Sequence, residues 1–424
     1  NSIMSYIKNV VIRNLTIRGV DGDIAVLGDN ITSIISIDYY ESIFEPTITF
    51  EILFVSVDNA LTELKLRGTE KVDIEIDHQS GPLSFENLVI TSFVQNESES
   101  TANTFLIRLE PIGAINTTKF RTGLRYDPSV PLSTHVTNIL KSNIKATDDE
   151  IDVEETANSD GFYGNNWPAF KSIYFCARRS LSKSGDEEGS GTDRAGFLFW
   201  QIHNEGNLVY KFKSIDTIIS EAKKNGALEY TQNDAISDNP NYDLYNPRWE
   251  FDQNIISQMH ESMYGEQRRY YNVHTGQFTN SIPFSRSDAK QSFLGETFKL
   301  DLDLDLNDDP TIYTINPIMD FTMRKDGTIS DGGGEYNPHK IISQSRMRYA
   351  SLLSSSLNAV VPLQTKLQAG DVISCKLINS MKGTDEWMSG LFLIRALRHT
   401  IHITDSGVEC YTRLRLVRDT PGYA

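Results

Sequence analysis

The sequence predicts a mainly β protein of the α+β class, with an antiparallel barrel or sandwich at its N-terminal end and the strands of a barrel edge at its C-terminal end. Three observations carry this reading. Between Val10 and about Pro111 the chain reads as strand after strand, with no helical run between them. Its middle then changes to amphipathic helical stretches interleaved with polar loops and a hairpin. From Leu367 to Asp419 three strand-length runs return, the last two joined by the Gly-containing turn Asp405-Ser406-Gly407.

The N-terminal elements follow from period-two alternation, which places successive side chains on opposite faces of a sheet. Ile31, Ser33, Ile35, Ile37 and Tyr39 alternate with more polar neighbours. After Glu45-Pro46, the residues Ile48, Phe50, Ile52 and Phe54 form one face. Val72, Ile74 and Ile76 do the same, as do Phe105, Ile107 and Leu109. Turn residues fall at Asp21-Gly22, Gly28-Asp29, Gly68 and Ser80-Gly81-Pro82. About six strands at this spacing make a barrel or sandwich.

In the middle region Val136, Ile139 and Leu140 stand at helical spacing behind Ser133, the predicted N-cap. The polar stretch Thr147–Asn166 predicts a surface loop. A second helix opens at Pro168 and carries Phe170, Ile173, Tyr174, Ala177 and Leu181 on one side. Ser182–Asp193 has no apolar residue and predicts a mobile loop. A hairpin turning at N-E-G-N leads to a helix capped by Ser214, striped by Ile215, Ile218, Ile219 and Ala222, and stopped at Asn225-Gly226. Asp238–Ser287, rich in tyrosine, predicts irregular hairpins with either locally packed or partner-facing aromatics. Ile341–Leu353 predicts a further helix. In the last strand Val408, Cys410, Thr412, Leu414 and Leu416 face the core, while Glu409, Tyr411, Arg413 and Arg415 face outward.

A chain of 424 residues is long enough for several domains. It is 39% hydrophobic with a mean hydropathy of −0.35, so it can bury a core. It contains no apolar run long enough to cross a membrane as a helix, and Asn1–Val10 lacks the apolar centre of a signal peptide. Three separated cysteines, Cys176, Cys375 and Cys410, argue against a disulfide framework and for folding in a reducing compartment. The N-x-S/T triplets at Asn14, Asn30, Asn96 and Asn116 are then expected to stay unglycosylated. A net charge of −17 disfavours a DNA-gripping surface. It leaves two readings, an ordinary solubilising surface or one past which polyanions travel without sticking.

Catalytic signatures are absent as a group. There is no G-x-S-x-G elbow, no H-E-x-x-H and no Cys/His cluster at zinc spacing. His399 and His402, three apart on a strand, point to opposite faces. Lys299–Asp309 alternates Leu with Asp but lacks the Gly and Glu of a calcium loop, and predicts a strand with one acidic face. Asp331–Glu335 lacks the context of a nucleotide loop. No metal, no cofactor and no catalytic residue is predicted.

Two segments carry a resemblance. They are G-F-L-F-W…L-V-Y-K-F-K-S-I-D, from Gly196 to Asp216, and the terminal stretch from Val360 to Asp419. The latter holds V-V-P-L-Q-T-K-L-Q-A-G-D-V-I, G-L-F-L-I-R-A-L-R-H-T-I and Y-T-R-L-R-L. In these, and in the order of elements along most of the chain, the sequence resembles the central baseplate hub proteins of T-even-like contractile-tailed phages. It also resembles the related spike-hub proteins of type VI secretion and other contractile injection systems. The resemblance implies two tube-like antiparallel β-barrels with inserted α/β segments. On that reading, residues 1–115 form the first barrel and residues 116–195 and 231–340 the inserts. A discontinuous second barrel takes 196–230 plus 341–424, because the C-terminal run alone offers only about four strands.

The resemblance further implies a structural virion protein assembled in the bacterial cytoplasm. It would be a homotrimer joining a six-fold tail tube and its initiator proteins to a three-fold central spike, with baseplate wedge proteins as further partners. DNA would pass through its channel without specific binding. Spike hubs often continue into a spike β-helix, whereas this sequence reaches Ala424 without one, so the spike is expected to be a separate protein. Arg398, Arg413 and Arg415 on the outward face of the terminal hairpin are candidate contacts to a neighbouring subunit or to the tube, against the alternative of solvated arginines. The rival functions are a hub of a non-phage injection system, a tail-associated cell-wall hydrolase and a glycan-binding module.

Overall fold

The computed structural model describes residues 10–19, 21–22, 24–27, 32–56, 66–98, 103–183, 194–204, 206–233, 240–251, 254–269, 271–272, 277–278, 282–285, 293–295, 314–315, 322–323, 329–330, 338–381, 383–404 and 407–419. The expected acidic strand Lys299–Asp309, the loop Asp331–Glu335 and most of the loop Ser182–Asp193 lie outside these residues.

Seven antiparallel strands open the chain: β1 (Val11–Arg18), β2 (Ile24–Val26), β3 (Thr32–Ser42), β4 (Thr49–Ser56), β5 (Lys71–Asp77), β6 (Leu83–Ser98) and β7 (Asn103–Glu110). They lie in the order β2-β1-β5-β6-β7-β4-β3. The alternation read from the sequence holds along β4, but in β3 a register shift between Ile34 and Ser36 buries Ile34 and leaves Ser33 exposed, so the face read from Ile31 to Tyr39 switches partway along the strand. Along β4 the burial switches at every residue, with Phe50, Ile52 and Phe54 wholly buried. Among the described residues this sheet stays open at β2.

The middle of the chain folds around a second, smaller sheet. Strand β8 (Ile151–Val153) pairs in parallel with β10 (Asn207–Ser214), which forms the expected hairpin with β9 (Phe197–Asn204). Both faces of the hairpin are covered. Phe197, Phe199 and Phe212 pack on one side with α2 (Leu132–Ile139) and α3 (Ala169–Ala177). Leu198, Trp200 and Ile202 pack on the other with α4 (Ile215–Asn225). Short helix α1 (Ile112–Lys119) precedes these elements, and α5 (Ile255–His260) and α6 (Pro338–Leu352) follow. Ser214 caps α4 as expected, accepting from Thr217 N at 3.1 Å, and Gly226 ends it at φ +81. Ser133 does not cap α2, whose N-cap is Pro131; its backbone N–H donates instead to Thr156 at 3.0 Å.

The stretch Thr147–Asn166 is more structured than a loop. It holds a capped 3-10 turn at Asp148–Glu150, strand β8 and the buried Asn158, which bonds the backbone of Arg179 and Leu181. Asn116 is buried as well, donating to Ile144 O at 2.8 Å, a setting with no room for a glycan.

The last strands are β11 (Leu228–Gln232), β12 (Asp243–Phe251), β13 (Ser355–Pro362), β14 (Val372–Lys376), β15 (Gly390–Thr404) and β16 (Gly407–Arg418). They close on themselves in the order β15-β14-β11-β12-β13-β16, with β16 returning to β15. Two ladders in this barrel are parallel, β11 with β14 and β11 with β12.

Of the segment 196–230, only β11 enters the barrel, and β12 joins it from the region read as an insert. The physical reason is the burial of β9, where seven of eight residues are inaccessible. A strand apolar on both faces belongs in a covered sheet, not in a barrel wall with one wet side. Strand β15 also pairs with β3, from Ala396↔Ser42 to His402↔Ser36. That ladder fuses the open sheet and the closed barrel into one 13-stranded sheet over a single continuous core.

Candidate functional site

The fusion ladder brings residues far apart in sequence onto one outward face. In its register Arg398 of β15 stands opposite Arg413 of β16 on one side and Tyr40 of β3 on the other. Two guanidiniums directly opposite repel each other. Asp38 of β3 offsets this for one of them. Its two carboxylate oxygens accept from Arg398 Nε at 2.8 Å and Nη2 at 2.7 Å, and Thr400 Oγ1 donates to it at 2.7 Å. The hydrogen bonds to Asp38 raise the Arg398 pKa further above its ordinary value, so its charge is permanent. Tyr40, pushed up to about 12 by burial and by the neighbouring Asp38, keeps its proton and donates it to Glu51 at 3.1 Å.

Among the described residues Arg413 has no such carboxylate. It donates to Tyr411 Oη at 3.1 Å, with its guanidinium 5.2 Å from that ring. Arg415 is exposed, opposite Asn358 and Ala396 in the ladders. Arg395, at the register shift in β15, lies 5.2 Å from the ring of Phe44.

Together these arginines and Arg108 of β7 line a groove of about 780 Å3, walled at its far side by Thr117 of α1 and Phe170 of α3. The structure therefore brings Arg398, Arg413 and Arg415 together. It adds Arg395 and Arg108, which the sequence reading missed. Arg395 sits where a bulge breaks the alternation, and Arg108 comes from the other sheet half.

Among the described residues no three His, Cys, Asp or Glu side chains are grouped to hold a metal. His399 is buried in the core and His402 sits half-buried on the opposite face of β15. A second cavity of about 330 Å3 lies between β9–β10, α4 and the turn before β14. Its lysines Lys211 and Lys213 are both paired with Asp152. No helix among the described residues is long and apolar enough to cross a membrane.

No protein-family model and no curated protein sequence matches the chain. Solved structures similar to it include two tail proteins and a type VI secretion component. The tail protein of Neisseria meningitidis MC58 superposes with a TM-score of 0.53 at 11% identity, over 97% of this chain and 99% of that one. The 43 kDa tail protein of prophage MuSo2 from Shewanella oneidensis gives 0.51 at 9% identity, over 96% and 98%. A component of the E. coli type VI secretion system gives 0.48 at 10% identity, over 98% of this chain and 78% of that one. The chain has the fold of the two tail proteins along nearly its whole length.

Proposed function

We propose that this protein is a structural component of a contractile tail, the central hub of the baseplate. Three copies would surround an axis and join a six-fold tube to a three-fold spike. The observation that carries this is the ladder between β3 and β15, which holds an open sheet and a closed barrel side by side as one wall. Three copies of such a two-part wall present six sheet units around one axis, which is how a three-fold assembly meets a six-fold one. The acidic balance of −17 suits a channel through which DNA moves without being held. The fold shared with the two tail proteins supports the same reading.

The mass in solution tests this. We expect a particle three times the 47.8 kDa of one chain by sedimentation velocity. A chain that remains monomeric at every concentration refutes the hub.

A further inference from the structure

We propose that the arginine groove is the cationic half of a head-to-tail contact between copies of this chain, seating carboxylates of the neighbouring copy. This rests on the ring proposed above and names the surface that closes it.

Three arginines of the groove have no acidic partner among the described residues. Other arginines of the fused sheet sit on acids: Arg13 on Asp77 at 2.6 Å, Arg18 on Asp73 at 2.7 Å and, within the groove, Arg398 on Asp38 at 2.7 Å and Arg108 on Glu110 at 3.0 Å. Arg395, Arg413 and Arg415 are exposed, and among the described residues no carboxylate lies within ion-pair distance of any of them. Such a cluster is conspicuous in a chain with 57 acidic and 40 basic residues, and a second copy of the chain is itself a source of carboxylates. Arginine on an aromatic floor, here Arg395 over Phe44, is also a common anchor of protein interfaces.

Symmetry then restricts the contact. Across a two-fold axis the five arginines of one groove would face the five of the other, with only Glu45, Glu51 and Glu110 of each to offset them, so pairing of the groove with itself is disfavoured. The favoured partner is a different, acidic surface of the next copy. A contact of that heterologous kind closes into a ring when its rotation allows. Nucleic acid is a poorer occupant, because Glu45, Glu51 and Glu110 are interleaved with the arginines. A phosphate backbone carries continuous negative charge and is repelled by them, whereas a protein surface can match the mixed pattern residue by residue.

The test compares the full chain with the double variants R413E/R415E and R413K/R415K by sedimentation velocity, with circular dichroism as the folding control. The charge-reversed protein is expected to keep its fold and to lose association at least about tenfold, and the lysine protein to retain it. A ring that survives the double reversal overturns this contact and leaves the hub intact. A wild-type chain that never associates overturns both. Binding of a duplex oligonucleotide by the wild type, abolished by the reversal, reassigns the groove to phosphates and overturns the proposal.

Discussion

Arg348 of α6 donates to Asp419 at 2.9 Å, with both side chains wholly buried. Its other guanidinium nitrogen reaches Asp216 of α4 at 3.3 Å, and Asp419 also accepts from Leu294 N at 2.9 Å. One cation thus ties the helix entering the barrel, the end of the last strand and the helix leading to β11. Removing Arg348 leaves the buried carboxylates of Asp216 and Asp419 without the cation they share. Arg348→Ala is expected to destabilise the protein by about 3–5 kcal/mol, read as a lower urea midpoint. A midpoint unchanged from wild type rejects this role.

Barrel closure makes a second prediction. The fragment Ile341–Ala424 holds β13 to β16 but lacks β11 and β12, which fill the gap between β14 and β13. Without them two strand edges and the core face lie open to water. The isolated fragment should show no cooperative thermal transition by circular dichroism; a sharp one would sink the assignment of β11 and β12 as closing strands.

His399 should make the protein acid-sensitive. Its ring lies 5.6 Å from Tyr39 in the core, and Nδ1 bonds Thr412 Oγ1 at 2.9 Å. Burial first, then the neighbouring His78 and His203, lowers its pKa to about 3. The folded value is below the unfolded one, so its stabilising contribution is present above about pH 6.5 and is lost as pH falls toward 3. His399→Gln should flatten the decline of the urea midpoint between pH 6 and 4 by up to about 1.4 kcal/mol per pH unit. An unchanged slope counts against it.

Glu41 acts in the opposite sense. It is buried where β3 meets β9 and the turn before β14, accepting from Tyr39 Oη, His203 N at 3.1 Å and Ala369 N at 2.8 Å. Burial raises its pKa to about 7, and those three donors only partly oppose the rise. A folded value above the unfolded one stabilises fully below about pH 4.5 and is lost as pH climbs through 7. The loss amounts to about 3 kcal/mol. Glu41→Gln should narrow the stability difference between pH 5 and pH 8 by about that amount in urea titrations. Retention of the full difference would assign the effect elsewhere.

Much of this architecture was legible in the residues. The alternation along Thr49–Ser56 and the outward Glu409, Arg413 and Arg415 of the terminal hairpin hold in three dimensions. So does the apolar stripe of α4 behind Ser214, because each depends on neighbours within a few residues. Ser133 does not cap α2: the helix starts one residue before it, at Leu132, with Pro131 in the uncapped N-cap position, and the Ser133 side chain pairs with Thr156 instead. The separate sheet of β9 and β10 was hidden for a different reason. An apolar run reads the same whether a barrel or two helix layers cover it.

By itself the sequence determined which side of β4 and β16 turns inward and the cap, stripe and stop of α4. Only the tertiary structure decided that Leu228–Gln232 and Asp243–Phe251 close the barrel and that β3 lies against β15. It also decided that Arg108, Arg395, Arg398, Arg413 and Arg415 share one groove. Side-chain periodicity is a local property of the backbone, whereas the choice of a strand's neighbour is settled by shared burial between segments hundreds of residues apart.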